Sequence, residues 1–321
     1  MRVGLFIPCY MDAFEPEVGI ATLELLEKLG CDVEYPFDQT CCGQPMTNTG
    51  CHADAAGAEA LFVKNFSSFD YIVAPSGSCV HQIRVNMTSV EQSHEAQAVR
   101  DRTVELTEFL HDVLHVRDFP WAHFPHKVGI HYNCNSLRGI HLASPTEIKA
   151  PFFSKPRALL EKVSGVEFVE PARWDECCGF GGSFSVFEPS VSVRMGRDKI
   201  ADHSRAGAEY IVSADSSCLL HLADVDVAVV RAILGVAETG SVLFTERELK
   251  VNTVAYLAQH LVVLLARDAI VPGIQDAYDN PAFRSAHYAV FHTGPSATGD
   301  IEGVLIHGAQ GVRSLTVILT G

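Results

Sequence analysis

A four-cysteine pattern occurs twice in this chain: Cys9, Cys41-Cys42-Gly43 and Cys79, then Cys134, Cys177-Cys178-Gly179 and Cys218. The first copy has 31 residues ahead of its adjacent pair and 36 after it, and the second has 42 and 39. Two unrelated Cys-Cys-Gly triplets, each flanked by one outlying cysteine, do not arise readily by chance, so the pattern reads as an internal duplication. Of the ten cysteines only Cys31 and Cys51 fall outside it, and both are expected to be inert core residues.

The residues between the cysteines alternate strand and helix signals in the same order twice. The first copy has an apolar strand at 2–8, a helical spacing at 17–29 that stops at Gly30, a short strand at 33–35, a helix at 53–65 and a strand at 71–74. The second has a strand at 127–132, a helix at 156–163, a strand at 166–169, a helix at 189–205 and a strand at 209–213. FDYIVAPSGSC, ending at Cys79, lines up with AEYIVSADSSC, ending at Cys218. The expected fold is α/β, with two pseudo-symmetric Rossmann-like parallel-sheet halves, 1–118 and 126–222, joined across the proline-containing stretch 117–127. The cysteines follow the carboxyl ends of predicted strands, the edge where open α/β sheets place ligands. A third piece, 224–321, reads differently, with strand-like runs at 225–230, 288–292, 303–307 and 315–319, a helical or strand run at 254–265 and a glycine-rich end.

Charge and hydropathy exclude some functions. A net charge of −15 argues against a nucleic-acid partner, which needs a basic stripe. No run reaches the ~18 apolar residues of a spanning helix, and the longest candidate, 254–265, is interrupted by Gln259 and His260. MRVGLFIPCY is one short apolar run without a cleavage site and reads as a first strand rather than an export signal. The expected location is therefore the cytoplasm, where ten cysteines are not structural disulfides and the sequons at Asn65 and Asn86 carry no glycan.

A duplicated four-thiolate set in a reducing compartment points to soft-metal coordination at Cys9, Cys41, Cys42, Cys79, Cys134, Cys177, Cys178 and Cys218. Adjacent cysteines on an extended backbone point to opposite sides, which suits two irons of one cluster better than a single tetrahedral ion. The glycine that follows permits the tight turn. Iron–sulfur clusters are favoured, with zinc or metal-free thiol chemistry as the alternatives. His81, His221, His131 and His141 lie near the sets and could serve as auxiliary ligands, but such histidines more often cap turns. The GFGGSF run after Cys178 is too short for a dinucleotide fingerprint and is expected to be a turn bringing amides close to sulfur.

These motifs carry a family resemblance. The two Cys…Cys-Cys-Gly…Cys sets resemble the cysteine-rich CCG domain found twice in the heterodisulfide reductase catalytic subunit and in glycolate oxidase iron–sulfur subunits. Residues 1–222, through IPCYMDAFEPEVGIATLELLEKLG, CCGQP, APSGSC, DECCGFGGSFS and ADSSC, resemble the lactate-utilisation protein A family. The resemblance implies an iron–sulfur system, with [4Fe-4S] clusters, that oxidises L-lactate and feeds electrons towards the respiratory chain. It implies partners too: a ferredoxin-like iron–sulfur protein and a lactate-utilisation (LUD) domain protein. The heterodisulfide reductase relatives end each set in Cys-x-x-Cys, whereas here Ser76 and Asp215 stand at the position of that fifth thiolate.

From about residue 228 the chain resembles the C-terminal half of a LUD domain, similar in fold to the ribose-isomerase and CoA-transferase class, through GVAETGSVLF, DAIVPGIQDA and the segment HTGPSATGDIEG onward. By this resemblance the third piece is a partial ribose-isomerase/CoA-transferase-like α/β domain that needs cover from elsewhere, including from a second copy in a homo-oligomer. Glu238, Thr239, Gly240, Thr293, Gly294, Ser296, Asp300 and Glu302 match small-molecule-binding signature positions, and turn-capping is the equal alternative. Two functions follow. One is an electron-transfer subunit of an L-lactate oxidising complex, since no flavin or nicotinamide fingerprint is found for a hydride acceptor. The other is a zinc- or thiol-based redox-sensing scaffold of lactate metabolism.

Overall fold

The computed structural model describes residues 1–149, 151–223, 227–249, 260–294, 297–298, 306–307, 312 and 314–320. The chain divides into two units, Met1–Leu222 and Ala223–Gly321. The fold is α/β.

In the first unit the expected alternation is present. Strand β1 (Arg2–Leu5) leads through helices α1 (Cys9–Phe14) and α2 (Pro16–Lys28) to β2 (Asp32–Glu34). Helix α3 (His52–Phe66), β3 (Tyr71–Ala74), α4 (Gly77–His81) and β4 (Thr103–Glu105) complete this half. The second half runs β5 (Lys127–Ile130), α5 (Lys155–Leu160), β6 (Glu167–Phe168), α6 (Pro189–Arg205), β7 (Tyr210–Val212) and α7 (Ser216–Leu222). The sheets have the orders β2-β1-β3-β4 and β6-β5-β7, and every pairing in both is parallel. β1 is shorter than the apolar run 2–8. Beyond Leu5 the Ile7 amide donates to the Gln39 side chain at 2.8 Å rather than to a strand, and α1 begins at Cys9.

Strand registers align the halves residue by residue. Val3 pairs with Val33 and Tyr71, as Val128 pairs with Phe168 and Tyr210. Carried along the chain, this makes Cys9 equivalent to Cys134, Cys79 to Cys218, Phe6 to His131 and Ser76 to Asp215. Counted from the equivalent residues Val33 and Phe168, the stretch to the cysteine pair is one residue longer in the second half. Ser76 and Asp215 themselves form an isolated antiparallel bridge, with the Gly77 amide donating to the Ala214 carbonyl at 2.9 Å. Equivalent residues meeting antiparallel is the contact an internal two-fold axis produces.

Both faces of the first sheet are buried, as a parallel sheet requires. Period-2 alternation sends Val3, Leu5 and Val73 to a core with Met11, Leu26 and Phe109, and Phe6, Ile72 and Ala74 to another with Phe62 and Phe66. In the second sheet Ile130 packs with Tyr132, Leu137 and Val212, while Gly129 faces α6 so closely that a Cβ would lie 2.3 Å from His203 Nδ1. The join between halves is anchored rather than loose. Phe119 is buried in the first half's core, and the Lys28 ammonium sits 4.2 Å over the Trp121 ring. Cys31 is half-buried against the same core, but Cys51, expected inside, is exposed at the start of α3, so the core reading fails for it.

The second unit has a parallel sheet of β8 (Val227–Arg231), β11 (His260–Ala266) and β16 (Ser314–Thr320), in the order β16-β11-β8. A mixed sheet orders β12 (Ile270–Val271), β9 (Leu234–Val236), β10 (Ser241–Thr245) and β13 (Ala289–His292). A short antiparallel pair joins β14 (Ala297–Thr298) and β15 (Ile306–His307). The described part of the run 254–265 is strand. Leu261, Val263 and Leu265 are buried, while Val229, Ile318 and Leu319 are exposed. No helix among the described residues is long and apolar enough to cross a membrane.

Candidate metal centre

Each half gathers its own four cysteines. Thiol-to-thiol hydrogen bonds link Cys9 to Cys41, Cys41 to Cys42 and Cys42 to Cys79. The second set repeats the chain from Cys134 through Cys177 and Cys178 to Cys218. All are free thiols, and the burial order is the same twice: the outlying first cysteine and the first of the pair reach solvent, and the other two are buried.

Local structure explains the placement. Cys9 opens α1 directly after the strand end, and Cys79 and Cys218 lie in the first turns of the short helices after β3 and β7. Ser76 caps α4 by accepting from the Cys79 amide at 3.4 Å. The glycine after each pair is left-handed, Gly43 at φ 88° and Gly179 at φ 91°, and this turns the following amides back onto sulfur. In the second set Gly179 N–H donates to Cys177 Sγ at 3.3 Å and Phe180 N–H to Cys178 Sγ at 3.5 Å. The loops leading into the pairs are tied down. Gln39 accepts from Ile7 N–H and donates to the Leu5 carbonyl at 3.1 Å. Lys199 on α6 donates to the carbonyls of Arg173 and Trp174 at 2.7 and 2.9 Å.

These contacts set the protonation. Hydrogen bonds from Cys42 and Cys9 lower the Cys41 thiol to about 3, and those from Cys134 and Cys178 lower Cys177 to about 2. The neighbouring donors are raised: Cys9 by its bond to Cys41 and Cys134 by its bond to Cys177, each then by burial. In each set these contacts favour the thiolate on the first cysteine of the pair, and the thiolate is the form that binds metal. Reduced thiols, backbone N–H groups aimed at sulfur and a partly buried pocket suit a soft metal or an iron–sulfur cluster.

The two sets share a neighbourhood. A cavity of about 330 Å³ is lined by Cys9, Cys41, Cys42 and Cys79, and one of about 490 Å³ by Cys134, Cys218 and Asp215. Gln44, Asn48, Ser78, Phe180, Gly182, Ser183 and Ser217 line both. The GFGGSF turn thus reaches across, with Phe180 5.8 Å from the Tyr10 ring. Asp215, buried in the wall of the larger cavity, accepts from Ser78 N–H at 3.0 Å and from the hydroxyls of Ser76 and Ser217. Its Oδ2 serves the contact between halves, while Oδ1 is held by Ser217 of its own half.

His131, offered by the sequence as an auxiliary ligand but favoured there as a turn cap, stands beside the second thiol set. It is buried, neither ring nitrogen has a hydrogen-bond partner, and a ring nitrogen lies within 4.8 Å of the sulfurs of Cys178 and Cys218. Burial, then Lys199 and His203, lower it to about 3, so the ring is neutral. The signal for it is the strand register, which sets His131 where the first half has Phe6. His221 instead meets Ser192, 3.3 Å from its carbonyl oxygen. His81 packs against Gly139, and His141 is a left-handed turn residue.

In the second unit Glu238, Thr239 and Gly240 form the turn between β9 and β10. Glu238 accepts from Ile274 N–H at 3.3 Å. Hydroxyl contacts run from Thr239 to Ser241 at 2.7 Å and from Ser241 to Thr293 at 2.8 Å, with Gly294 adjacent at φ 110°. Ser296, Asp300 and Glu302 lie outside the described residues.

The family profile described as a cysteine-rich (CCG) domain matches residues 3–84 and 128–223, together more than half of the chain. Lactate utilization protein A of Exiguobacterium sp. is 41% identical over 229 residues, covering 69% of this chain and 88% of that protein. Those of Geobacillus thermodenitrificans and Macrococcus caseolyticus are 38% and 39% identical over 226 residues, each covering 69% of this chain and 90% and 88% of their own. A solved DUF162 family protein from Deinococcus radiodurans, 15% identical over 35% of this chain and 63% of its own, has a TM-score of 0.25, too slight a likeness to bear on the fold. The duplicated domain spans both thiol sets, and the chain belongs to the lactate utilization protein A family of cysteine-rich CCG-domain proteins.

Proposed function

We propose that this chain is a cytoplasmic iron–sulfur electron-transfer subunit of a complex that oxidises L-lactate to pyruvate. The observation that carries this is the repeated gathering of four free cysteines, with the same burial order twice, in a chain whose relatives are named for lactate utilization. In this reading 1–118 and 126–222 are the two cysteine-rich halves and 224–321 is a partial LUD domain. Cys9, Cys41, Cys42 and Cys79 hold one centre, and Cys134, Cys177, Cys178 and Cys218 hold the other. A [4Fe-4S] cluster bound by four thiolates would supply one-electron storage and release.

The protein's own residues would set the conditions for that chemistry. Gly179 and Phe180 amides stabilise charge on sulfur, Phe180 and Tyr10 restrict water over the first set, and the shared cavity wall keeps the centres close enough for electrons to pass. Oxidation of a 2-hydroxy acid releases two electrons and two protons. The relay would accept the electrons singly, with substrate chemistry shared with a ferredoxin-like iron–sulfur protein and a LUD-domain protein.

The experiment is reduction by substrate. Anaerobically prepared protein mixed with those two partners should lose visible absorption on addition of L-lactate, and a Cys41→Ser, Cys177→Ser double variant should not. Bleaching in the double variant equal to that of the parent would refute the relay. A second reading, a zinc-binding redox scaffold, draws on the compactness of His131, Cys178 and Cys218, three donors within reach of one ion.

A further inference from the structure

The halves repeat each other closely at the strand end beside the cysteines. Phe6 N–H donates to the Val73 carbonyl at 2.9 Å, and His131 N–H to the Val212 carbonyl at 2.8 Å. These are the same bond in the two copies, so the two side chains occupy equivalent sites. Phe6 fills its site as an apolar residue, edge-on to Phe62 at 5.0 Å and to Phe66 at 5.8 Å. His131 fills its site as a polar residue that is only 1% exposed, with both nitrogens unpartnered.

Burying an imidazole with no hydrogen bond is costly, and a phenyl ring would serve packing better. The cost is met if a nitrogen has a partner that is not a protein atom. Its neighbours are the sulfurs of Cys178 and Cys218, all three atoms lying within 4.8 Å of one another. No hydrogen bond joins the ring to either sulfur. Nitrogen and sulfur donors on one tetrahedral metal atom stand about 3.5–3.8 Å apart, given bonds near 2.0 and 2.3 Å. The three donors are therefore gathered on the scale of a shared metal atom.

We propose that His131 is a nitrogen ligand of the second metal centre, coordinating a metal atom between Cys178 and Cys218, whereas the first centre is held by thiolates alone. This rests on the second thiol set being a metal site; it holds for a single ion or for a cluster with one iron carrying more than one protein ligand, and it replaces the four-thiolate cubane at the second centre. Asp215, at the place of a fifth thiolate, is occupied with Ser76, Ser78 and Ser217, so His131 is the remaining donor that makes the second site different. The duplicated halves would then carry two unlike centres.

The test uses the full chain, made with ¹⁵N-histidine, reconstituted anaerobically with iron and sulfide and read by pulsed EPR after reduction. The expected result is a coupling from directly bonded histidine nitrogen on one of the two centres. It should vanish in His131→Phe, which copies the first half, and persist in His221→Gln. Paramagnetic centres without a histidine nitrogen coupling, or a coupling that survives in His131→Phe, would overturn the proposal. If no iron is bound, the iron–sulfur reading fails separately, and cobalt(II) added to metal-free protein carries the test, as it does if no state is paramagnetic. The visible cobalt bands should shift between parent and His131→Phe, the first set cancelling in the difference. Identical spectra would refute nitrogen ligation.

Discussion

The glycines after the two cysteine pairs share a backbone conformation but not an environment, so one substitution should act differently at each. Alanine at either site must adopt φ near 90°, which costs about 1–2 kcal/mol. At Gly43 the new methyl would meet Ala55 Cβ at 3.3 Å and Glu59 Cγ at 3.9 Å, contacts that a small shift relieves. At Gly179 it would lie 2.6 Å from the Ser192 carbonyl oxygen and 2.7 Å from Met195 Cβ, both on α6. That backbone cannot yield without moving the helix, which adds about 1–3 kcal/mol. Gly43→Ala should therefore destabilise by about 1–2 kcal/mol and Gly179→Ala by about 2–5 kcal/mol. Urea unfolding of the reduced, metal-free chain measures this. Both tryptophans, Trp121 and Trp174, lie in the 1–222 unit, so fluorescence follows that unit. The midpoint should fall more for Gly179→Ala at unchanged slope. Equal midpoints would refute the assignment of the second turn to close contact with α6.

Cys177→Ser or Cys178→Ser should remove one metal centre and leave the fold intact, since a hydroxyl does not replace a soft thiolate; full metal content in both variants would exclude the second set as ligands. Asp215→Ala removes an acceptor of three hydrogen bonds, two of them between the halves, and should cost about 2–4 kcal/mol in a thermal melt, a shift within error counting against that role. Glu105, fully buried on β4, is raised to about 7 by desolvation. Its folded form holds a proton that the unfolded form releases near pH 4.5, so stability is greatest below that pH and falls by about 3 kcal/mol as pH rises through 7. Glu105→Gln should flatten this slope in urea titrations, and an unchanged slope would assign it to another group. Expressed alone, 224–321 should not give a soluble, cooperatively melting monomer, because Val229, Ile318 and Leu319 are exposed in its sheet; such a monomer would show that it stands by itself.

Much of the first unit was legible because its signals are local. Apolar runs ending in turns, helical spacing stopped by glycine and a repeated cysteine order give the strands, helices and thiol sets directly. What was illegible depends on distance. His131 is one of four histidines near the sets that the sequence favours as turn caps, and the cysteines beside it come 47 and 87 residues later. Asp215 aligned with Ser76 reads as a missing ligand on each side, whereas the structure turns the two substitutions into one contact between halves. Cys51 has an apolar residue's expectation, yet it stands where α3 starts and meets solvent. The run 254–265 satisfies helix and strand patterns alike, and its described part is strand because parallel neighbours on both sides bury it.

The most direct measurement of the central claim is iron and acid-labile sulfide on the full chain prepared without oxygen, beside its visible spectrum and zinc content. Iron and sulfide should be present in nearly equal amounts with broad visible absorption, and both should fall by about half in Cys178→Ser as one of two thiolate-held centres is lost. Zinc without sulfide, or a colourless protein with no metal, would contradict an iron–sulfur relay.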